Sequence, residues 1–363
     1  MYYIGLMSGT SMDAIDVALV RFEDKAILEH YRQYPISTSL RQRIRHVNEK
    51  TELGVVANLD NELGHLFADS VNQLLEEIDI DHKKIIAIGS HGQTVLHRPD
   101  IKTATSIQIA DPNIICAKTG ITTVADFRRM DMAYGGQGAP LACAFHQYQF
   151  QKNGQAIIIL NIGGMANLTL IPAKADVIGF DTGPGNALLD DWIQINLGKE
   201  YDEDSNWGLS GEINKNLLDV MLNDPYFAKI PPKSTGREYF NINWLNSLVD
   251  QTKTKIVAQD IQATLLELTL QTIIDAINRF THKAGEVLVC GGGAANKTLM
   301  GKLQDKLDIE ITTTEKYGLS PDCIEAVTFA WLAKQRIEVK PANLPSVTGA
   351  KKKAILGGIY SPY

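Results

Sequence analysis

Residues 2–22 read YYIGLMSGTSMDAIDVALVRF. The apolar run from Tyr2 to Met7 predicts a strand, the small residues from Ser8 to Asp13 a turn, and Ile15 to Phe22 a returning strand, so the segment reads as a hairpin. Residues 155–171, QAIIILNIGGMANLTLI, repeat the pattern, with a strand at 155–160, a turn from Asn161 to Asn167 and a return from Leu168 to Ile171. A third apolar strand, Glu286 to Cys290, runs into Gly291, Gly292 and Gly293, and a helix is expected from near Asn296. Between these lie apolar side chains at helical spacing over 61–78, a buried strand over 84–90, and long helices over 260–281 and 322–336. Strands alternating with helices place the chain in the α/β class. The twice-used hairpin predicts two related halves facing a shared cleft, and a single doubly wound sheet is the alternative that pattern alone leaves open.

With 363 residues the chain is long enough for two domains. Its 44% hydrophobic and 21% charged residues are those of an ordinary globular protein. A net charge of −7 argues against a nucleic-acid partner, which needs a basic face. Cys116, Cys143, Cys290 and Cys323 are scattered with no C-x-x-C pair, which disfavours a disulfide framework or a zinc site and fits a reducing compartment. The start, MYYIGLMSGTSMD, has no basic segment followed by an apolar one, and no stretch reaches the ~20 apolar residues of a membrane helix. The expected location is the cytoplasm.

The glycine turns carry the chemistry. In Ser8-Gly9-Thr10-Ser11-Met12-Asp13, successive N–H groups can form an anion nest, the hydroxyls can donate to phosphate, and Asp13 offers a hard oxygen to Mg²⁺. A plain hairpin turn explains the same residues. Asn161-Ile162-Gly163-Gly164 repeats the logic more weakly. Gly291-Gly292-Gly293, after a strand and before a helix, permits close approach of a flat or charged ligand. Walker and dinucleotide-binding glycine patterns are absent from the sequence.

Residues 179–191 read GFDTGPGNALLDD. Asp181 ends a short apolar run, a sharp turn follows over 182–186, and a helix is expected from Ala187. A carboxylate there can take a proton from a hydroxyl or water beside a phosphoryl group. Helix capping is the simpler role for an Asp, but capping needs one residue and not five special ones. Arg128, in Asp126-Phe127-Arg128-Arg129, has the fork that suits a carboxylate ligand, although an exposed arginine pair is more often a solvated surface. His91 and His97 fit no standard zinc spacing. Glu325 lies on an amphipathic helix, where most glutamates face solvent.

IGLMSGTSMDAIDVALV at 4–20, GSHGQTVLHRP at 89–99, QIADP at 108–112 and TGITTVADFRRMDMAYGGQGAPL at 119–141 belong together with NIGGMANLT at 161–169 and GFDTGPGNALLDDW at 179–192. PPKSTGREYFN at 231–241, DIQATLLELT at 260–269, VLVCGGGAANKTLM at 287–300 and NLPSVTGAKKKAILGGIY at 343–360 complete the set. In this order, and across essentially the whole chain, they resemble the anhydro-N-acetylmuramic acid kinases of the hexokinase–Hsp70–actin superfamily.

The resemblance implies two actin-like, ribonuclease H-like domains around a central nucleotide cleft. One would comprise 1–130 with 345–363, the other 131–344, with crossings near 128–138 and 340–346. It implies ATP and Mg²⁺, with Asp13 on the metal. Ser8, Gly9, Thr10, Ser11 and Asp13 would form the first phosphate loop, and Asn161 to Asn167, including Gly163 and Gly164, the second. Gly291, Gly292, Gly293 and Asn296 would meet the adenosine. Asp181 would be the catalytic base, and Ser90, His91, Gly92, Gln93, Arg128 and Glu325 would line the sugar site. The implied partners are the sugar and ATP, and the implied assembly a homodimer with no membrane contact. Ala14 and Ala295 depart from the family pattern, which has glycine and histidine there. The implied reaction opens an anhydro sugar with water and phosphorylates O6 in cell-wall recycling. A levoglucosan-type kinase, an Hsp70-like ATPase and a non-catalytic sugar-binding regulator are the competing readings.

Overall fold

The computed structural model describes residues 1–9, 12–99, 103–280 and 284–362, with the backbone alone at Ala284. Thr10 and Ser11 of the first glycine turn lie outside the described residues. The chain divides into two compact units, Met1–Gln149 with Cys323–Tyr363, and Phe150–Asp322.

In the first unit, β1 (Tyr2–Ser8), β2 (Ala14–Phe22) and β3 (Ala26–Pro35) form an antiparallel meander. β4 (Ile85–Ser90) pairs parallel to β1. β5 (Gln93–Arg98) and β6 (Thr105–Ile109) make a separate hairpin, and β7 (Thr123–Ala125) joins β4 in parallel. The C-terminal strand Gly358–Tyr360 closes the edge against β7. Helix Leu53–Glu77 buries Leu59, Leu63, Phe67, Val71 and Leu74, the i, i+4 stripe that the sequence shows, in one core with Ile4 and Leu6.

In the second unit, β8 (Ala156–Ile162), β9 (Met165–Ile171) and β10 (Ile178–Pro184) are antiparallel neighbours. β11 (Ala284–Cys290) and β12 (Glu310–Thr313) follow in parallel on the other side of β8. Its core gathers β8 and β9 with helix Ala258–Phe280, through Ile261, Leu265, Leu268 and Ile273. Counted within each of the two larger sheets, the first five strands run 3-2-1-4-5 in both. Two separate sheets of one order bear out the expectation of two related α/β halves and set aside a single doubly wound sheet.

The bounds of the units differ from the sequence reading. Residues 131–149 and 323–344, assigned above to the second domain, belong to the first unit. The reason is packing at glycines. Helix Ile324–Ile337 lies so close on β1 and β4 that a Cβ on Gly5 would sit 1.7 Å from Ala326 O, and one on Gly89 2.0 Å from Phe329 O. The chain passes between units at 149–150 and 322–323. The segments 128–138 and 340–346 are instead joined inside the first unit, where Asn343 donates to Asp131. Gly5→Ala is therefore expected to destabilise the protein by about 3 kcal/mol, since the helix must lift off its sheet. Gly54→Ala, in open space on a helix, should stabilise by up to about 1 kcal/mol. Urea unfolding of the two variants measures both, and an unmoved midpoint for Gly5→Ala would contradict the close seating of the helix.

Candidate active site

Hydrogen-bonding register in the second sheet aligns Asp181 on β10 with Asn167 on β9, and Asn167 with Asn161 on β8. The three polar side chains thus share one face, each half-buried, while Phe180, Leu168 and Leu160 face the other way into the core. The strand carries past the expected turn at 182, to Pro184, with a register shift between Asp181 and Gly183. Helix Ala187–Leu197 has Asn186 at its N-cap position, so Asp181 is a strand residue and not a cap.

Asp181 is gripped by Tyr226 and by the segment 233–235. Its backbone N–H donates to Lys233 O (3.2 Å), its carbonyl accepts from the Tyr226 hydroxyl (2.7 Å), and Oδ2 accepts from Thr235 N–H (2.9 Å). Desolvation raises its carboxyl to about 7; Thr235 N–H opposes this, Glu238 adds to it and Lys233 opposes it. Lys233 itself is buried over the ring of Tyr226, and desolvation lowers it to about 8. Asp181 is therefore a held carboxylate poised near neutrality, which is what a general base requires.

The other glycine turns of this unit form one assembly. Gly163 and Gly164 close the β8–β9 hairpin, and their carbonyls accept the N–H groups of Gly185, Asn186 and Ala187 at 2.9–3.0 Å. The motif at 182–186 is thereby pinned to the motif at 161–164, and a Cβ on Gly185 would fall 2.4 Å from Gly163 O. Gly291 has φ +77, and its absent Cβ would meet Asn161 Oδ1 at 2.3 Å. Gly293 is as tightly held against Ile162, whereas Gly292 is exposed with nothing within 4 Å of its Cβ position. Gly292 thus offers open backbone for a ligand on a base held rigid by its two neighbours. Asn296 is committed elsewhere: Oδ1 caps helix Lys297–Lys306 through Leu299 N–H, and Nδ2 donates to Ser205 Oγ. Ala295 is exposed beside it.

In the first unit the sequence-derived residues fall into two clusters. Ser8, at the end of β1, donates to Gln93 Oε1 at 2.8 Å, and both side chains are buried, so this hydroxyl is already used inside the protein. Asp13 is exposed and pairs with Arg41. Ala14 opens β2 opposite Pro35 without a positive φ, so the missing glycine asks nothing of the backbone. The second cluster centres on Arg128. Its Nε and Nη2 donate to His91 Nε2 (3.1 and 2.8 Å), and Nη1 donates to Gly138 O (2.8 Å). Because a guanidinium only donates, His91 Nε2 must be the lone-pair nitrogen and Nδ1–H the donor to Gly92 O. Burial, then the charge of Arg128, hold His91 well below the usual histidine range.

All three of those hydrogen bonds of Arg128 go to neutral acceptors, and desolvation lowers the guanidinium to about 10. Arg129, by contrast, is exposed and paired with Asp126. Glu325, in the first turn of its helix, keeps an accessible face. Desolvation nevertheless raises it to about 7, with Asp16 adding and Arg128 opposing. A cavity of about 190 Å³ lies behind Ser90, His91 and Gly92, and Gln108, Asp126 and Arg129 line its other sides. Ser90 Oγ is buried there without a hydrogen-bond partner among the described residues.

Sequence reasoning did not single out Lys233 and Thr235, which hold Asp181, or Asp16, which faces Glu325. Lys233 and Thr235 stand inside PPKSTGREYFN, a segment whose signal was resemblance and not chemistry.

The second unit thus holds a carboxyl raised to about 7 among glycine turns, and the first a guanidinium whose three hydrogen bonds named above go to neutral acceptors. The profile of the family described as anhydro-N-acetylmuramic acid kinase matches residues 1–362. The anhydro-N-acetylmuramic acid kinase of Coxiella burnetii (strain RSA 493 / Nine Mile phase I) is 50% identical over 363 residues, covering 99% of this chain and 97% of the relative. That of Pasteurella multocida (strain Pm70) is 49% identical over 365 residues, with 99% and 97% covered. The chain belongs to the anhydro-N-acetylmuramic acid kinase family. Among solved structures, the activator of the 2-hydroxyisocaproyl-CoA dehydratase from Clostridium difficile with bound ADPNP matches with a TM-score of 0.45 at 10% identity, covering 94% of this chain and 98% of that one.

Proposed function

We propose that this protein uses ATP and water to convert anhydro-N-acetylmuramic acid into N-acetylmuramic acid 6-phosphate and ADP, a step in the reuse of cell-wall sugar. Asp181 carries the reading: a carboxyl raised to about 7 and oriented by Thr235 N–H, in a chain of this family. Asp181 takes a proton from water, and the water oxygen bonds to C1 of the sugar. The C1–O6 bond of the anhydro bridge breaks, O6 bonds to the γ-phosphorus, and the bond to the β,γ-bridging oxygen breaks to release ADP. The first half is the work of the base in an inverting glycosidase, the second an in-line phosphoryl transfer.

The remaining residues divide between the two substrates. Gly291 to Gly293 suit the nucleotide, because Gly292 leaves backbone uncovered while Gly291 and Gly293 cannot carry a side chain. Asp13 fits as the single carboxylate of a Mg²⁺ held mainly by phosphate oxygens, sharing its charge with Arg41. Bound there, the ion would neutralise charge on the phosphates. Arg128, bonded to neutral acceptors, suits the lactyl carboxylate of the sugar, and favours this substrate over levoglucosan, which has none. Ser90 Oγ and Glu325 supply further polar contacts for the sugar. Four buried cysteines, scattered along the chain with no C-x-x-C pair, fit a reducing cytoplasm.

Turnover in ¹⁸O-water tests the reaction. Label is expected on C1 of the sugar and not in the transferred phosphate, with the α-anomer seen first by rapid NMR. A kinase acting on an existing hydroxyl would incorporate no label, and an ATPase would place it in free phosphate. Either result, or a β-anomer at first observation, would refute the proposal.

A further inference from the structure

Two stretches of the sequence found no use in the reaction above, GGQGAP at 135–140 and NLPSVTGA at 343–350. Both converge on Asp131, whose residue is fully buried. Its Oδ1 accepts from Asn343 Nδ2 and from the Thr348 hydroxyl, each at 2.7 Å. Its Oδ2 accepts from Gly138 N–H at 2.8 Å, and Gly138 O is the carbonyl that receives Arg128 Nη1. The loop between is drawn onto the carboxylate so closely that a Cβ on Gly136 would lie 2.2 Å from Oδ2. Gly136 N–H also bonds Asp131 O, and Gln137 N–H bonds Thr348 O. Three successive backbone N–H groups, those of Gly136, Gln137 and Gly138, are thus held, and Gly138 O with His91 Nε2 takes three of the five guanidinium N–H groups of Arg128, leaving one on each terminal nitrogen.

We infer that Asp131 is a positioning residue that aims Arg128 through Gly138, and thereby sets the preference of this enzyme for a sugar bearing a carboxylate. A guanidinium recognises a carboxylate through two parallel N–H···O bonds, so its plane must be right as well as its place. A buried carboxylate is a demanding way merely to close a loop, since its charge must be met by hydrogen bonds. Here one of those bonds holds the N–H of Gly138, the residue whose carbonyl accepts from Arg128. Asp131→Asn keeps the shape and keeps an oxygen for Asn343 and Thr348. It then turns an amide NH₂ toward Gly138 N–H, where two donors repel, and the Gly138 carbonyl must move.

The inference rests on the reading of Arg128 as the contact for the lactyl carboxylate, and the test keeps the two apart. Steady-state kinetics are measured for wild type, Asp131→Asn and Arg128→Met with anhydro-N-acetylmuramic acid and with 1,6-anhydro-N-acetylglucosamine, the same ring without the lactyl arm. Asp131→Asn is expected to lower kcat/KM for the acid about ten- to hundredfold, chiefly through KM, and to change that for the lactyl-free sugar by less than about threefold. Arg128→Met is expected to abolish the preference. If Arg128→Met loses the preference and Asp131→Asn keeps it, the positioning role falls while the reading of Arg128 stands. If Arg128→Met keeps the preference, that reading falls and the inference with it. Equal losses on both sugars in Asp131→Asn would reduce Asp131 to a structural residue and overturn the inference. Should Asp131→Asn fail to fold, Thr348→Val removes one hydrogen bond from Oδ1, frees the carboxylate to turn and so loosens its hold on Gly138 N–H. It should show the same selective loss at about three- to tenfold, and a loss shared by both sugars would again overturn the role.

Discussion

Asp181→Asn is expected to abolish turnover and, at the same time, to make the protein more stable. Loss of a general base costs typically ~10²–10⁴-fold in rate, and here ring opening and phosphoryl transfer both wait on the same water. A variant retaining a tenth of the wild-type kcat would remove Asp181 from its role. The stability half follows from the raised carboxyl. A group that holds its proton more tightly in the folded state favours folding at low pH. That advantage drains away as pH rises from the unfolded value of 3.8 to about 7, and the penalty is then constant. At pH 8 the native protein therefore carries an ionised, partly desolvated carboxylate that asparagine does not. The gain on substitution should be about 2 kcal/mol, discounted from the full shift because the side chain is partly accessible. Urea unfolding at pH 8 and at pH 4 checks the sign: stabilisation at the first, near-equality at the second. In wild type, kcat/KM should climb with pH and level off above about 7. A plateau reached already at pH 5 would show that no group of this kind has to be deprotonated.

The second large effect is expected at the three glycines after β11. Gly291→Ala forces a side chain into a backbone with φ +77 and places Cβ 2.3 Å from Asn161 Oδ1, so the turn must shift. KM for ATP should rise by about ten- to hundredfold, and the rise in melting temperature that ATP confers on wild type should shrink with it. Gly292→Ala is the informative companion. Nothing lies within 4 Å of its Cβ position, so stability should stay within about 0.5 kcal/mol of wild type. On the proposed assignment of this turn to the nucleotide, its methyl would nevertheless stand in the way, and KM for ATP should increase about tenfold. Unchanged KM for ATP in both variants would move the adenosine away from this turn. A sugar KM that rises instead would assign the turn to the other substrate.

Local structure was legible because it is set by neighbours in the chain. Apolar runs and small-residue turns marked the β1–β2 and β8–β9 hairpins to within three residues, whereas the glycines at 291–293, read as room for a ligand, give that room at Gly291 and Gly293 to Asn161 and Ile162 and leave only Gly292 of the three open. Asp181 was visible for a similar reason, since a carboxylate among Gly179, Gly183 and Gly185 has little else to do. The helix over 322–336 was placed along the chain but not in space. Only the contact of its backbone with Gly5 and Gly89 decides that it belongs to the first unit, and a glycine does not announce in sequence what will lie against it. Side-chain commitments were hidden in the same way. The sequence does not show that Ser8 donates to Gln93, that Asn296 caps its own helix, or that Asp13 shares its charge with Arg41. Asp131 had no signal at all, because its partners Asn343 and Thr348 are more than two hundred residues away and meet it only once the C-terminal segment has folded back. Periodicity and turn chemistry are properties of a few consecutive residues, and they write themselves into the sequence. Which hydrogen bonds a polar group has left to offer depends on every element packed around it, and only the folded chain sets that.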